Sequence, residues 1–413
     1  MPGRGLSLFL IGFILAAHLS IFARELITDP HFQRGLKVLN PTSGQAEGRL
    51  QWSSAGGAPI WACAQWHSHS SLAGLTPDTL ASGWLQWANE DKTIRLGPIA
   101  GENYDIYMGV NSDHEFGGIY RTSGQPWPAL LVQQRLSPPN TFGPGCPPLS
   151  ELASLNFHVE VRLDTARIIK KYGYNPGLHA AHFPIYFVVQ NLRRSSPGYG
   201  KMIWLGLHVY DDRWALPPKY VAHDQGTNTL IYSIAYETMS DSSVQSGDWV
   251  SLDVDLLPHA INALHEAWRL GYLQASQDLA DYKIGAMNLG WEVPGLAFVG
   301  MEVRNLSLLA ISGTGVEKDP MAPENYDLRA FPNPFAKSTR IILRPGAHGG
   351  HLRIINLVGQ VVREWHVASR PGETLTLRWN GLDGHGDELP SGIYFLNYAD
   401  SKVRIIRRIL LLR

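Results

Sequence analysis

From Leu26 to about Ala310 the chain is a succession of short apolar or alternating runs, among them "LNFHVEVRL", "FPIYFVVQNL", "KMIWLGLHVY", "NTLIYSIAY", "DWVSLDVDLL" and "AFVGMEVRNLSLLA". Gly, Pro, Asn and Asp punctuate them, and their lengths and β-branched, aromatic content are those of strands. So many strands with so few helices between them predict antiparallel sheets packed as a jelly-roll-like β-sandwich, not a parallel α/β fold. A hydrophobic fraction of 44% against 17% charged residues gives the chain the material for a core, and 413 residues are long for one domain and comfortable for two.

One segment breaks the pattern. "LLPHAINALHEAWRLGYLQAS" places Leu257, Ile261, Leu264, Trp268 and Tyr272 at spacings of four, three, four and four, one face of a helix, with Pro258 acceptable in its first turn. This predicts a single helix packed on the sandwich. After residue 310, "ISGTGVEKDPMAPENYDL" is rich in Gly, Pro and charge and reads as a linker over 311–329. Residues 330–413 then form a second, smaller all-β unit.

That second unit carries ordered signals: "FPNPF" from Phe331 to Phe335, "LRIINLVGQVV" from Leu352, "LRWNGLDGHGDELPSGIYF" from Leu377, and a closing basic strand. Pro332 and Pro334 fix an extended entry without ladder donors. Gly359 permits a tight turn, and Trp379 and Phe395 are expected core anchors. In this combination the unit resembles the C-terminal sorting domain of the type IX secretion system and the immunoglobulin-like domain of flagellar-hook-capping proteins. The resemblance implies a small immunoglobulin-like β-sandwich, the type IX machinery as a partner, and delivery to the outer-membrane surface or the medium. Lys402, Arg404, Arg407, Arg408 and Arg413 make the last strand strongly basic with no acid. A basic edge also resists sheet-to-sheet aggregation, which is the plainer reading of the same charges.

The first residues fit export. Arg4, an apolar run from Leu6 to Ala17 and a small residue at Ala23 read as a signal peptide over 1–23, the run being shorter than the roughly 20 residues that span a bilayer. No transmembrane segment is expected in the mature chain. In an exported protein Cys63 and Cys146 are expected to form one disulfide, the alternative being two buried thiols. A net charge of -1 argues against nucleic acid as a partner.

The large unit offers several candidate sites. "NLGWEVPG" sets Glu292 beside Trp291, and a carboxylic acid against an indole in a cleft suits a general acid. Such chemistry needs a second carboxylate, for which Asp211 and Asp212 of "LHVYDDRW" are the leading candidates beside Glu115 and Glu237. Asp211, Asp212 and Asp224 could instead ion-pair with Arg213 or hold a structural calcium; no other cofactor is expected. His67 with His69, and His179 with His182, could bind a transition metal, though neither pair sits in a metal signature. Among the tryptophans, Trp66, Trp127 and Trp291 are candidate sugar-stacking residues, with Arg121 and Arg213 orienting substrate, while Trp204 within "MIWLGL" is expected in the core. There is no phosphate loop, nucleophile elbow, HExxH helix or dinucleotide fingerprint. The expectation is an exported surface protein that binds, and as a hydrolase or lyase would cleave, a polysaccharide or glycan; the alternative is a structural or adhesive surface protein.

Overall fold

The computed structural model describes residues 21–52, 56–98, 105–138, 142–143, 145–313, 327–331, 333, 335, 337–344, 349–356, 360–368, 373–400 and 404–411. Residues 1–20 of the signal peptide expected over 1–23, most of the expected linker, Pro332, Pro334, Gly359, Lys402 and Arg413 lie outside the described residues, as do the side chains of Arg404 and Arg408, while Ile21–Ala23 begin the strand Ile21–Glu25.

The alternating runs build two large sheets. In the eight-stranded sheet the order is Val250–Asp255, Leu152–Ile168, Ala297–Gly313, Asp105–Asn111, Lys92–Gly97, Leu85–Ala88 and Asp78–Thr79, with Ile21–Glu25 also paired to Ala297–Gly313. The nine-stranded sheet runs Tyr220–Asp224, Thr229–Ile234, Met202–Asp211, His182–Asn191, Tyr282–Glu292, Ala129–Arg135, Trp61–Ala64, Leu36–Leu39 and Ala46–Leu50. Successive residues of a strand point to opposite faces, so each run divides into an inner and an outer set. Phe183, Ile185, Phe187 and Val189 are fully buried, and Phe187 meets Phe157 of the opposing sheet edge to face at 5.1 Å. Each such side chain contributes about 1.5–3 kcal/mol.

The predicted helix spans Leu256–Arg269 and touches strands of both sheets, with Leu256, Leu257, Ala260, Ala263, Leu264 and Ala267 buried. Asp255 caps it, accepting from Leu257 N at 3.1 Å and also from Leu155 N at 2.9 Å. A cap of this kind contributes about 1 kcal/mol. Tyr272 falls beyond the last turn.

The second unit is a small sandwich of a three-stranded sheet (Asp327–Phe331, Thr339–Arg344, Leu375–Trp379) and a four-stranded one (Val361–Val367, Gly350–Asn356, Gly392–Ala399, Arg404–Leu411). It has its own core, in which Trp379 packs against Phe335 at 5.3 Å and Tyr394 at 5.5 Å. Phe395 is not the anchor expected of it: Tyr394, Leu396 and Tyr398 take the inner positions and leave Phe395 half-buried, because the strand's alternation puts it on the other face. The terminal strand is an edge strand, and its Arg407 lies 3.9 Å from the helix-capping Asp255.

The expected disulfide does not form: Cys63 and Cys146 are both buried free thiols. Cys63 stands opposite Val132, while Cys146 N donates to Leu136 O. Val132 and Leu136, the latter just past the end of its strand, lie roughly 13 Å apart along extended chain, so the two thiols are held at different levels of the sheet. Burial pushes the Cys63 thiol up to about 12 and the Cys146 thiol up to about 11.

Candidate functional site

The outer face of the nine-stranded sheet gathers most of the candidate residues, and register explains how. His182 opens its strand directly opposite Asp211 on one neighbour and Glu292 on the other, so three titratable side chains stand in one row on one face. His182 Nε2 lies 2.9 Å from Glu292 Oε2. Their side chains are 15% and 22% exposed, so the pair is sheltered but open to a ligand. Glu292 thus has an imidazole partner instead of the indole the sequence suggested.

Trp291 is the reason. It is fully buried between the sheets, donates its indole N–H to Met108 O at 2.9 Å, and meets Phe183 and Tyr210 edge-on. Adjacent residues of a strand cannot share a face, so Glu292 points out because Trp291 points in. Trp291 is therefore a core residue and not a sugar platform.

Among the described residues no second free carboxylate joins Glu292. Asp211 is 3% exposed and gripped by Arg213 through Nε at 2.8 Å and Nη2 at 2.6 Å. Burial raises its pKa, but the Arg213 hydrogen bonds and charge outweigh this and leave it below the usual carboxylate range. Asp212 accepts from Ala181 N at 2.8 Å and Tyr174 OH at 3.2 Å and faces Lys170 at 3.6 Å, so its carboxyl pins a loop. Glu115 is buried against Lys92 at 3.6 Å, and Glu237 is exposed in a short turn. Among the described residues no three His, Cys, Asp or Glu side chains converge on a metal position. Asp224 binds the Trp204 indole at 3.1 Å, and His67 and His69 are exposed.

Beyond the row, the face continues in polar and aromatic groups that sequence reasoning passed over. His208 is buried, stacks on His182 with ring centres 5.8 Å apart, and lies 2.9 Å from Tyr220 OH and 3.3 Å from Tyr186 OH. Burial, reinforced by the neighbouring His182, pushes its pKa down to about 3, so it is neutral. Trp204, expected in the core, is half-buried on this outer face, with Ile203 and Leu205 taking the inner positions. Trp66 packs at the other side against a small cluster of Leu39, Ala64, Ala129 and Leu131, and Ala129 is the register partner of Glu292. The signal available in the sequence was the polar residue at alternate positions of runs otherwise wholly apolar: His182 and Tyr186 in one, His208 in the next.

Among the described residues three buried polar atoms on this face have no hydrogen-bond partner, His182 Nδ1, Ser233 Oγ and Asn288 Oδ1. Asn288 stands in register with Tyr186, on the same face as Glu292 two pairs along the strand. Such orphans cost of order 1–3 kcal/mol each and are rare in folded proteins unless something else satisfies them.

Arg121 and Trp127 lie beside the row. The Arg121 guanidinium covers the Trp127 ring at 4.8 Å, and Val293, next to Glu292, donates to Pro128 O at 3.1 Å. Arg213 reaches toward the same side through Pro176 O at 3.4 Å.

No protein-family model matches this chain, and no curated protein matches it in sequence. Among solved structures it is similar to an endoglucanase from Rhodothermus marinus (12% identity, 58% of this chain and 97% of that one, TM-score 0.32). It is also similar to a native family 12 xyloglucanase from Bacillus licheniformis (9% identity, 60% and 99%, TM-score 0.34). A third is the xyloglucanase domain of a type three effector from Sinorhizobium fredii in complex with cellobiose (9% identity, 58% and 96%, TM-score 0.29). These likenesses are too distant to carry a functional inference.

Proposed function

We propose that the outer face of the nine-stranded sheet binds a glycan, with the His182–Glu292 pair as its acid–base centre. The observation that carries this is the pair itself, set in a face whose neighbouring buried polar atoms are left without partners. Glu292 fixes the imidazole by its hydrogen bond, and a histidine so oriented can exchange a proton with a bound hydroxyl or carbon acid. Trp66, Trp204 and Tyr220 supply flat apolar surfaces with polar edges along the same face, the chemistry that suits sugar rings. With Asp211 neutralised by Arg213, the described residues of the face do not offer the two free carboxylates of a paired-acid hydrolase. The acid–base work falls to His182 and Glu292, in hydrolysis or in elimination.

The test is incubation of the full chain with plant, algal and microbial polysaccharides, products being read by mass spectrometry. Glu292→Gln and His182→Ala should each lower turnover by about 10²-fold or more while binding persists. Unchanged product formation in both variants would refute the assignment, and binding without products from any substrate leaves a glycan-binding face without catalysis.

We further propose that residues 330–413 address the protein to the cell surface through type IX export. Support comes from the order of the sequence signals, from the unit's separate core and from its basic edge strand. Deleting Ala330–Arg413 should abolish surface delivery and leave the large unit folded, checked by fractionation and circular dichroism; normal delivery would sink this reading.

A further inference from the structure

Beside the Glu292 row lies an open cleft of about 590 Å³ between the loop 118–123 and the loop 171–179. That volume is in the range of small-ligand sites. Its chemistry differs from that of the face it adjoins. Tyr120 and Tyr172 supply rings, Lys171 and Arg121 supply two positive charges, and no Asp or Glu is among its lining residues that are described.

Among the described residues neither cation is neutralised. Lys171 donates to Gly118 O and Arg121 donates through Nη1 to Thr122 O at 3.2 Å and Gln125 O at 2.6 Å, so both spend hydrogen bonds on neutral carbonyls. Arg121 Nε is buried with no partner among the described residues, and burial lowers the pKa of the guanidinium. Asp113 stands behind Gly118, and no ion pair joins it to Lys171 among the described residues. The arrangement contrasts with Arg213 and Lys170 close by, each of which faces a carboxylate. The scaffold around the cleft is firm: Tyr120 stacks on the buried His179 at 4.4 Å, and His179 Nε2 lies 2.9 Å from Arg121 O.

We infer that this cleft takes an anionic sugar, a residue bearing a carboxylate or a sulfate ester, with Arg121 and Lys171 as its counter-charges and Tyr120 and Tyr172 against its ring. The cleft meets the glycan face where His182 begins its strand, three residues after His179, so the inference rests on the glycan reading and names the ligand class: an acidic polysaccharide. With Nη1 already spent on its own loop, the Arg121 guanidinium held over the Trp127 indole offers an anion its charge and the Nη2 hydrogens.

Titration calorimetry on the full chain tests it with three probes: an oligogalacturonate, a sulfated galactan oligosaccharide and a neutral cello-oligosaccharide. The acidic probes should bind more tightly than the neutral one and weaken with added salt. Lys171→Met, and Arg121→Gln with folding checked by circular dichroism, should each weaken the acidic probes about tenfold and leave the neutral one unchanged. Preference for one acidic probe decides between carboxylate and sulfate. Equal affinity for acidic and neutral probes, or acidic binding untouched by both variants, overturns the inference while leaving the glycan face standing. Acidic binding lost in the Lys171 and Arg121 variants but with His182→Ala and Glu292→Gln silent in every assay upholds the cleft and removes the face.

Discussion

The two outer faces of the large sandwich are both rich in charge and aromatic rings, yet they are organised in opposite ways. On the eight-stranded sheet, Arg162 grips Glu302 with two contacts of 2.9 Å, Arg304 holds Glu160 at 2.7 Å, and His158 holds Asp253 at 2.9 Å. Trp249 lies under both arginines, at 5.1 and 3.9 Å, and Arg95 covers Tyr107 at 4.3 Å. Of the side-chain atoms named there, Arg162 Nε alone is orphaned. On the nine-stranded sheet the polar groups converge without saturating one another. Charge density does not mark a site; unspent hydrogen-bonding capacity does. The same contrast disarms a tempting signal: burial pushes Asp105 up to about 6, but it sits among the ion pairs of the saturated face, where neighbouring Arg304 and Glu302 act on it in opposite directions.

The sharpest way to break the comparison is to cut inside the sandwich. Trp291→Ala should cost about 3–5 kcal/mol in denaturant unfolding, whereas the neighbouring Glu292→Gln should change stability by less than about 1 kcal/mol. Similar losses for both would mean that the inward and outward assignments are wrong.

Histidines on the two faces should respond to pH with opposite sign. His208 has a folded pKa of about 3, below its unfolded value, so the unfolded chain binds the extra proton and stability falls as pH drops from about 6.5 toward 3. The slope is at most about 1.4 kcal/mol per pH unit. For His158 burial works against the charged form, but the hydrogen bond and charge of Asp253 prevail and raise its pKa. Its contribution is present in full below about pH 6.5 and is lost as pH rises through the raised value. Urea unfolding at pH 5 and pH 8 should show His208→Asn losing less stability on acidification than the parent, and His158→Asn losing more. Smallest of all, Glu302→Gln should cost no more than about 1 kcal/mol and leave glycan binding unchanged, since partly exposed ion pairs contribute little. A loss of binding there would move the site to the other sheet.

The fold was legible because alternation is local: the runs around Val159, Ile185 and Leu205 carry their own inside and outside. Glu292 was legible as a candidate for the wrong reason, since sequence adjacency to Trp291 suggests contact and strand geometry forbids it. From the sequence His182 is only a possible metal ligand beside His179. Its real partners, Asp211 and Glu292, lie 29 and 110 positions away and are joined to it by register, which no single strand reveals. Trp204 misled for a related reason: an apolar run looks uniform, and only sheet pairing shows that alternate members face outward. The cysteines misled because the exported-chain expectation carries no distance information.

The strand Ile21–Glu25 pairs with the end of Ala297–Gly313, Ile21 opposite Gly313 and Glu25 opposite Leu309. The large unit is therefore entered and left through two chain segments lying side by side. A tension applied between the chain's entry into this strand and the chain beyond residue 313 meets that ladder from its open end, pair by pair, and not along its length. Removal of the expected signal peptide through Ala23 would leave two of its five rungs, Arg24 with Ala310 and Glu25 with Leu309, so the same cut that accompanies export would shorten the zipper such a load meets first.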